Sequence, residues 1–185
     1  MKFLIVGLGN PGPDYALTRH NVGFQLLDYL AGKVKATWES DRFGMRCDLK
    51  IKGRSLVLIK PDTYMNLSGK AVLFWMNKLK LTPEQVLIVL DELHLPIGRL
   101  RMRKEGSDGG HNGLKSIEET LQTRAYPRLR IGISKDFPKG RQSDYVLGAW
   151  TPEEQKDLEG IFSRGADGIL QFALAGVDKA MSIIN

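Results

Sequence analysis

Apolar and polar positions along the chain switch between two periods, and each switch marks an element. Phe3, Leu4, Ile5 and Val6 form an unbroken apolar run closed by Gly7, the pattern of a fully buried strand. Val22, Leu26, Leu27 and Leu30 then recur at helical spacing. They predict a helix over residues 19–31, with Thr18 as its cap and Gly32 just beyond its end. Residues 43–51 and 55–59 flank Lys52-Gly53 and predict a hairpin whose second strand stops at Pro61. Ala71, Val72, Trp75 and Leu79 place a second helix over residues 66–79. Residues 86–90 form another continuous apolar strand, ending at Asp91, and residues 99–104 alternate strictly. A glycine-rich loop over 106–113 leads into a helix over 114–121, followed by a strand over 129–133. From Pro152 to about residue 184 the pattern is helical, with a break expected near Gly165 or Gly168. Strands interleaved with helices predict an α/β fold, a single domain over residues 1–185 built on a twisted mixed β-sheet packed by α-helices.

Composition narrows the class. Hydrophobic residues make up 42% and charged residues 26%, ordinary values that exclude a disordered or fibrous chain. No apolar run is long enough to cross a bilayer, so no membrane partner is expected. The apolar run after Met1-Lys2 ends in Gly-Leu-Gly-Asn-Pro-Gly, with no small-residue cleavage site, and reads as a strand and not as a signal peptide. Cys47 stands alone, which excludes an intrachain disulfide and a cysteine zinc cluster and points to the cytoplasm. A net charge of +6 favours an anionic partner, nucleic acid or phosphate first.

Several short segments carry candidate chemistry. Gly7-Leu8-Gly9-Asn10-Pro11-Gly12 has the glycine spacing of a dinucleotide fingerprint, but Pro11 and Pro13 prevent a helix from opening at the third glycine. A loop that aims Asn10 fits better. His20 titrates near neutrality and can take a proton from water. Asp91 closes an apolar strand at the carboxyl end where α/β sheets gather their sites, and is the candidate partner of His20. Its plain alternative is a turn or cap acid. Gly109-Gly110-His111-Asn112-Gly113 offers backbone N–H groups at a helix start for an oxyanion, with Asn112 as a further donor. His111 reads equally as a second catalytic histidine or a structural one. Asn66 reads as a site residue or a helix cap. No G-x-S-x-G elbow is present, and the three histidines lack metal-ligand spacing, so no metal is expected. Arg99, Arg101 and Arg103 fall at period two and project from one strand face while Leu100 and Met102 point to the core. Lys104, Lys115, Arg128, Arg130, Lys135, Lys139 and Arg141 are candidates to extend that basic face.

Taken in order, Gly7-Leu8-Gly9-Asn10-Pro11-Gly12, Tyr15, Thr18-Arg19-His20-Asn21, Met65-Asn66-Leu67-Ser68-Gly69, Asp91-Glu92-Leu93, Gly109-Gly110-His111-Asn112-Gly113-Leu114 and Leu129-Arg130-Ile131-Gly132-Ile133 resemble the bacterial-type peptidyl-tRNA hydrolase family. The resemblance implies a phosphorylase/hydrolase-like α/β fold and a catalytic group of His20, Asp91 and Asn112. It implies substrate contacts by Asn10, Tyr15, Asn21, Tyr64, Met65, Asn66 and Asn112. Arg99, Arg101, Arg103 and Arg130 would meet tRNA phosphate. It further implies a cytoplasmic monomer that acts on peptidyl-tRNA with no cofactor. The chain departs from the commonest family pattern at His94, where an acid often stands.

Overall fold

The two most apolar runs lie side by side. In the computed structural model, which describes all of Met1–Asn185, β1 (Lys2–Gly7) and β5 (Val86–Glu92) are parallel neighbours in the middle of a seven-stranded sheet. β2 (Glu39–Asp41), β3 (Gly44–Ile51) and β4 (Arg54–Pro61) continue the sheet on one side, and β6 (Leu100–Arg103) and β7 (Arg128–Gly132) on the other. The order is β2-β3-β4-β1-β5-β7-β6. β4, β1, β5 and β7 run parallel, while β2, β3 and β6 pair antiparallel, so the sheet is mixed as expected. The β3–β4 hairpin turns at Lys52 and Gly53, both at positive φ (47° and 79°), as a tight two-residue hairpin turn requires.

Successive residues of the central strands feed opposite faces, which is why these runs are apolar throughout. Phe3 and Ile5 meet α1 (Val22–Lys33) and α5 (Pro152–Ala175) through Leu26, Leu30 and Phe172. Leu4 and Val6 meet α2 (Ser68–Leu79) and α3 (Asn112–Leu121) through Val72, Trp75 and Ile117. α6 (Val177–Ile184) packs back onto α5 and β6, so the first face is covered to its edge. The second face is covered only over its middle strands. Beyond them, Arg101 stands opposite Arg130 and Arg103 opposite Arg128, and all four share the face away from the buried Leu100, Met102, Leu129 and Ile131.

Four expectations change. Thr18 makes no cap bond; its hydroxyl donates back to Tyr15 O at 2.8 Å, and the chain enters α1 through a 3-10 turn, Arg19–Asn21. α5 runs unbroken through Gly165 and Gly168, because both glycines admit neighbours instead of bending the helix. A Cβ at 165 would lie 2.8 Å from Leu26 and one at 168 2.6 Å from Ile184. The break falls at Gly176, where φ is +88°. Arg128 leaves the wet basic face: it is fully buried and donates to the carbonyls of Gly106, Ser107, Arg124 and Tyr126. Finally, β2 and α4 (Gln142–Val146) are additions that no periodicity announced.

Gly23 lets the first turn of α1 sit against the ends of β1 and β5; a Cβ there would lie 2.5 Å from Val89 O and 2.8 Å from Leu8 N. Helix propensity alone would make Gly23→Ala stabilising by ~0.5–1 kcal/mol. We expect destabilisation by about 1–3 kcal/mol in urea unfolding, because the contacted atoms are backbone and cannot move aside. A gain in stability would show that the close approach does not constrain the fold.

Candidate active site

Three consecutive residues of the turn that precedes α1 point to three different places. Asn21, 1% exposed, accepts from Asn10 N and donates to Asn10 O, both at 2.9 Å, and so clamps the loop after β1. Asn10 in turn accepts from Met65 N at 2.7 Å through its side-chain oxygen. That bond fixes the amide orientation and leaves the side-chain nitrogen free to donate. The loops after β1 and β4 are thus joined through one asparagine. Arg19 points the other way, toward α4 and α5.

His20, between them, reaches β5. Its Nδ1 lies 2.8 Å from Asp91 Oδ2, and the second carboxylate oxygen lies 2.7 Å from His111 Nε2. Asp91 is 2% exposed and accepts from both rings, which satisfies a buried carboxylate. The two rings stand 5.2 Å apart. His111 is also the cap of α3: its Nδ1 accepts from Gly113 N at 3.0 Å and Leu114 N at 3.4 Å. A ring nitrogen that accepts carries no proton, so His111 is a neutral Nε2–H tautomer donating to Asp91. The two readings of His111 merge, since it is a structural cap and a partner of Asp91 at once.

Charge follows from this arrangement. Burial opposes a charged His20, but the Asp91 carboxylate and its hydrogen bond outweigh burial and raise the His20 pKa above the ordinary 6.5. Burial likewise opposes ionised Asp91, and the two imidazoles overcome it, holding its pKa well below the usual carboxylate range. With Nδ1 engaged by Asp91, Nε2 of His20 is the ring nitrogen left toward the cleft.

His20, Asp91 and His111 lie close enough together to suggest a metal triad. The capping bonds argue against one. To ligate through Nε2, His111 would lose its proton while Nδ1 stays occupied by backbone N–H groups. The expected backbone oxyanion hole also changes. The N–H groups of Gly113 and Leu114 are spent on His111, and that of Gly110 on Asp108 at 2.8 Å. The Gly109 and Asn112 N–H groups have no such partner, and the exposed side chain of Asn112 adds a further donor there.

A cleft of about 990 Å³ opens over the pair. Of the residues singled out in the sequence, Asn10, His20, Tyr64, Met65, Asn66, Asp91, His111 and Asn112 line it. Asn66 caps nothing; it sits exposed in the 3-10 turn Met65–Leu67. Gly113 keeps this wall thin, since a Cβ there would lie 2.8 Å from both Met65 Sδ and Leu8 Cδ1. Asn21 and Tyr15 lie outside the cleft lining; Asn21 serves Asn10, and Tyr15 shapes its loop through Thr18. Arg99, Arg101, Arg103 and Arg130 also lie outside it. Arg99 is exposed just before β6, and Arg130 lies 3.7 Å from Glu92, itself a lining residue. The rim at His94 and Lys135 and the wall of Phe137, Gln142, Ser143, Val146 and Leu147 complete the cleft. Apart from His94 and Lys135, no motif pointed to these.

A buried carboxylate–imidazole pair at the carboxyl end of a parallel strand, opening into a cleft, is the arrangement of an α/β enzyme. The chain belongs to the peptidyl-tRNA hydrolase family, whose pattern it matches over residues 4–185. It is 50% identical over its whole length to the peptidyl-tRNA hydrolase of Cytophaga hutchinsonii, covering 98% of that protein, and 50% identical to that of Phocaeicola vulgatus, covering 99%. The crystal structure of peptidyl-tRNA hydrolase from Acinetobacter baumannii superposes with a TM-score of 0.93 at 38% identity, over 99% of this chain and 94% of that one.

The source of the His20 shift is open to direct measurement by NMR titration of the imidazole signals. Wild-type His20 should titrate above 6.5. In Asp91→Asn the charge that raises the pKa is gone while burial stays, so the midpoint should fall below the wild-type value. An unmoved midpoint would mean the carboxylate is not what holds the proton.

Proposed function

We propose that this peptidyl-tRNA hydrolase cuts the ester between a peptide and the 3′ end of tRNA by direct attack of water, with His20 as general base. The observation that carries this reading is the bond from His20 Nδ1 to buried Asp91, which leaves Nε2 toward the cleft. Asp91 holds the ring in that tautomer and stabilises the imidazolium that forms. The raised pKa makes His20 a stronger base, at the cost that it is unprotonated only above that pKa. Activity therefore rises with pH through the neutral range.

A carboxylic ester to ribose needs no covalent nucleophile. General-base assistance is worth ~10²–10⁴-fold, and one oxyanion donor about 2.7–4 kcal/mol. Asn112, exposed at the start of α3, is placed to serve as that donor or to orient the water. Asn10 and Asn66, with Tyr64 and Met65, hold the peptide and the tRNA end; an uncharged amide offers donors and an acceptor to peptide groups. The chemistry returns free tRNA from stalled or prematurely released peptides. Cytoplasmic location and a monomeric state accompany this reading.

The tRNA backbone meets the uncovered sheet face beside the cleft. Arg101 and Arg103 stand directly opposite Arg130 and Arg128. Like charges paired across strands weaken a sheet. Arg128 is buried on backbone carbonyls and Arg130 faces Glu92, whereas Arg101 and Arg103 have no carboxylate partner, which supports an anion outside the protein at those two. Arg99, at the start of the strand, extends the track. Guanidinium groups pair with phosphate in a bidentate manner.

Two measurements test the proposal. Release of peptide from peptidyl-tRNA should fall at least about a hundredfold in His20→Ala, the lower end for loss of a general base, with tRNA affinity little changed. Surviving turnover would remove His20 from its role. Arg101→Ala and Arg103→Ala should each weaken tRNA binding and reduce its salt slope by roughly one unit or slightly less. A slope unchanged in both would move the RNA track elsewhere.

A further inference from the structure

Arg19 has no part in the mechanism above, yet it is 7% exposed and makes some of the densest polar contacts in the molecule. Its Nε and Nη2 donate to the two oxygens of Glu154 at 3.2 and 3.0 Å. Its Nη1 donates to Tyr145 O at 3.0 Å, and the guanidinium lies 4.2 Å from the centre of the Tyr145 ring. The Arg19 backbone N–H donates to Gly148 O at 3.0 Å. Glu154 is itself fixed, because it forms the capping box of α5 with Thr151.

Tyr145 belongs to α4, the five-residue helix that supplies Gln142, Ser143 and Val146 to the cleft wall, with Leu147 following. So short a helix has no stability of its own. Apart from Arg19, its anchors are few: the Tyr145 hydroxyl donates to Ile133 O, the Tyr145 ring rests on Phe137, and Val146 is buried. His20, by contrast, is fixed independently by Asp91 and by the Asn21–Asn10 clamp.

We propose that Arg19, backed by Glu154, is a positioning residue that holds the α4 wall over the peptide of the bound substrate and so governs how tightly peptidyl-tRNA is held. It does not govern how fast the ester is cut. The occupant of that side is the peptide, because Phe137, Val146 and Leu147 give the wall an apolar surface suited to side chains. A buried ion pair is seldom the cheapest way to hold two elements together, and its geometric definition is what the wall gains from this one. The inference rests on the functional reading above for the identity of the substrate, though not for the mechanical link.

Arg19→Lys keeps the charge but loses the fork and the stacking, and Glu154→Gln keeps the fork without the carboxylate. Hydrogen exchange in the free protein should quicken over residues 142–148 in both variants. If the wall is in place only about one-fifth of the time, KM for peptidyl-tRNA rises roughly fivefold, with kcat within about twofold. KM for an N-acetylaminoacyl-tRNA, which lacks the longer peptide, should rise less, and the pH profile should stay where it is. A drop in kcat with a moved pH profile would overturn the proposal, since Arg19 would then act on His20. Unchanged exchange and KM would overturn it as well. If Arg19→Lys does not fold, Glu154→Gln decides by the same criteria. Wild-type protein that releases no peptide would defeat the functional reading, while the exchange data would still decide the role of Arg19.

Discussion

A carboxylate at 2% exposure survives only if its charge is answered, and Asp91 is answered by two imidazoles and no cation of fixed charge. Much of the surrounding structure follows from that constraint. One imidazole must come from the turn before α1 and the other from the start of α3, so the loops after β1 and before α3 have to converge on the end of β5. Gly23 and Gly113 are the points where this convergence would otherwise collide with backbone or with Leu8 and Met65. The Asn21–Asn10–Met65 chain of hydrogen bonds performs the same task on the other side of the cleft.

The two faces of the sheet divide the remaining work. One is closed over its whole width by α1, α5 and α6 and carries the larger core. The other is closed only where α2 and α3 lie, and the strands beyond present arginines. Arg128 is the exception that organises its neighbours. Burial lowers its pKa below the usual guanidinium range, and it spends its donors on carbonyls of the segment between β6 and α3. That segment leads directly to His111, so the basic face and the His20–Asp91–His111 cluster share a support.

The sequence made legible what is local. Apolar runs identified β1 and β5, Lys52-Gly53 located the hairpin, and Asp91, Asn10 and Asn112 stood out because each closes or follows an apolar strand or opens a helix. What stayed hidden depends on contacts between distant positions. Arg19 and Glu154 are separated by 135 residues, and nothing near either one announces the other. The role of His111 turned on a bond to Asp91 that crosses a strand, a loop and a change of direction. α4 was invisible because Gln-Ser-Asp-Tyr-Val has no apolar period and too few residues to express one. The helix break was misplaced for a related reason: a glycine that admits a close neighbour and a glycine that turns the chain are the same letter.

The capping role of His111 has a consequence for His20. Because its Nδ1 accepts from Gly113 and Leu114, His111 donates to Asp91 without bringing a full positive charge. With His20 unprotonated, the cluster of His20, Asp91 and His111 therefore carries a net charge of minus one. In the proposed reaction His20 would take a proton from water, the cluster would become neutral, and the new imidazolium would form beside a carboxylate already in place. Were His111 cationic, the same step would leave a net positive charge in a buried site, and Asp91 would be partly spent before the reaction began. In a poorly solvated setting the first sequence is favoured over the second, since interactions between charges are strongest where water is excluded. A hydrogen bond that serves to start α3 thus preserves the basicity of His20.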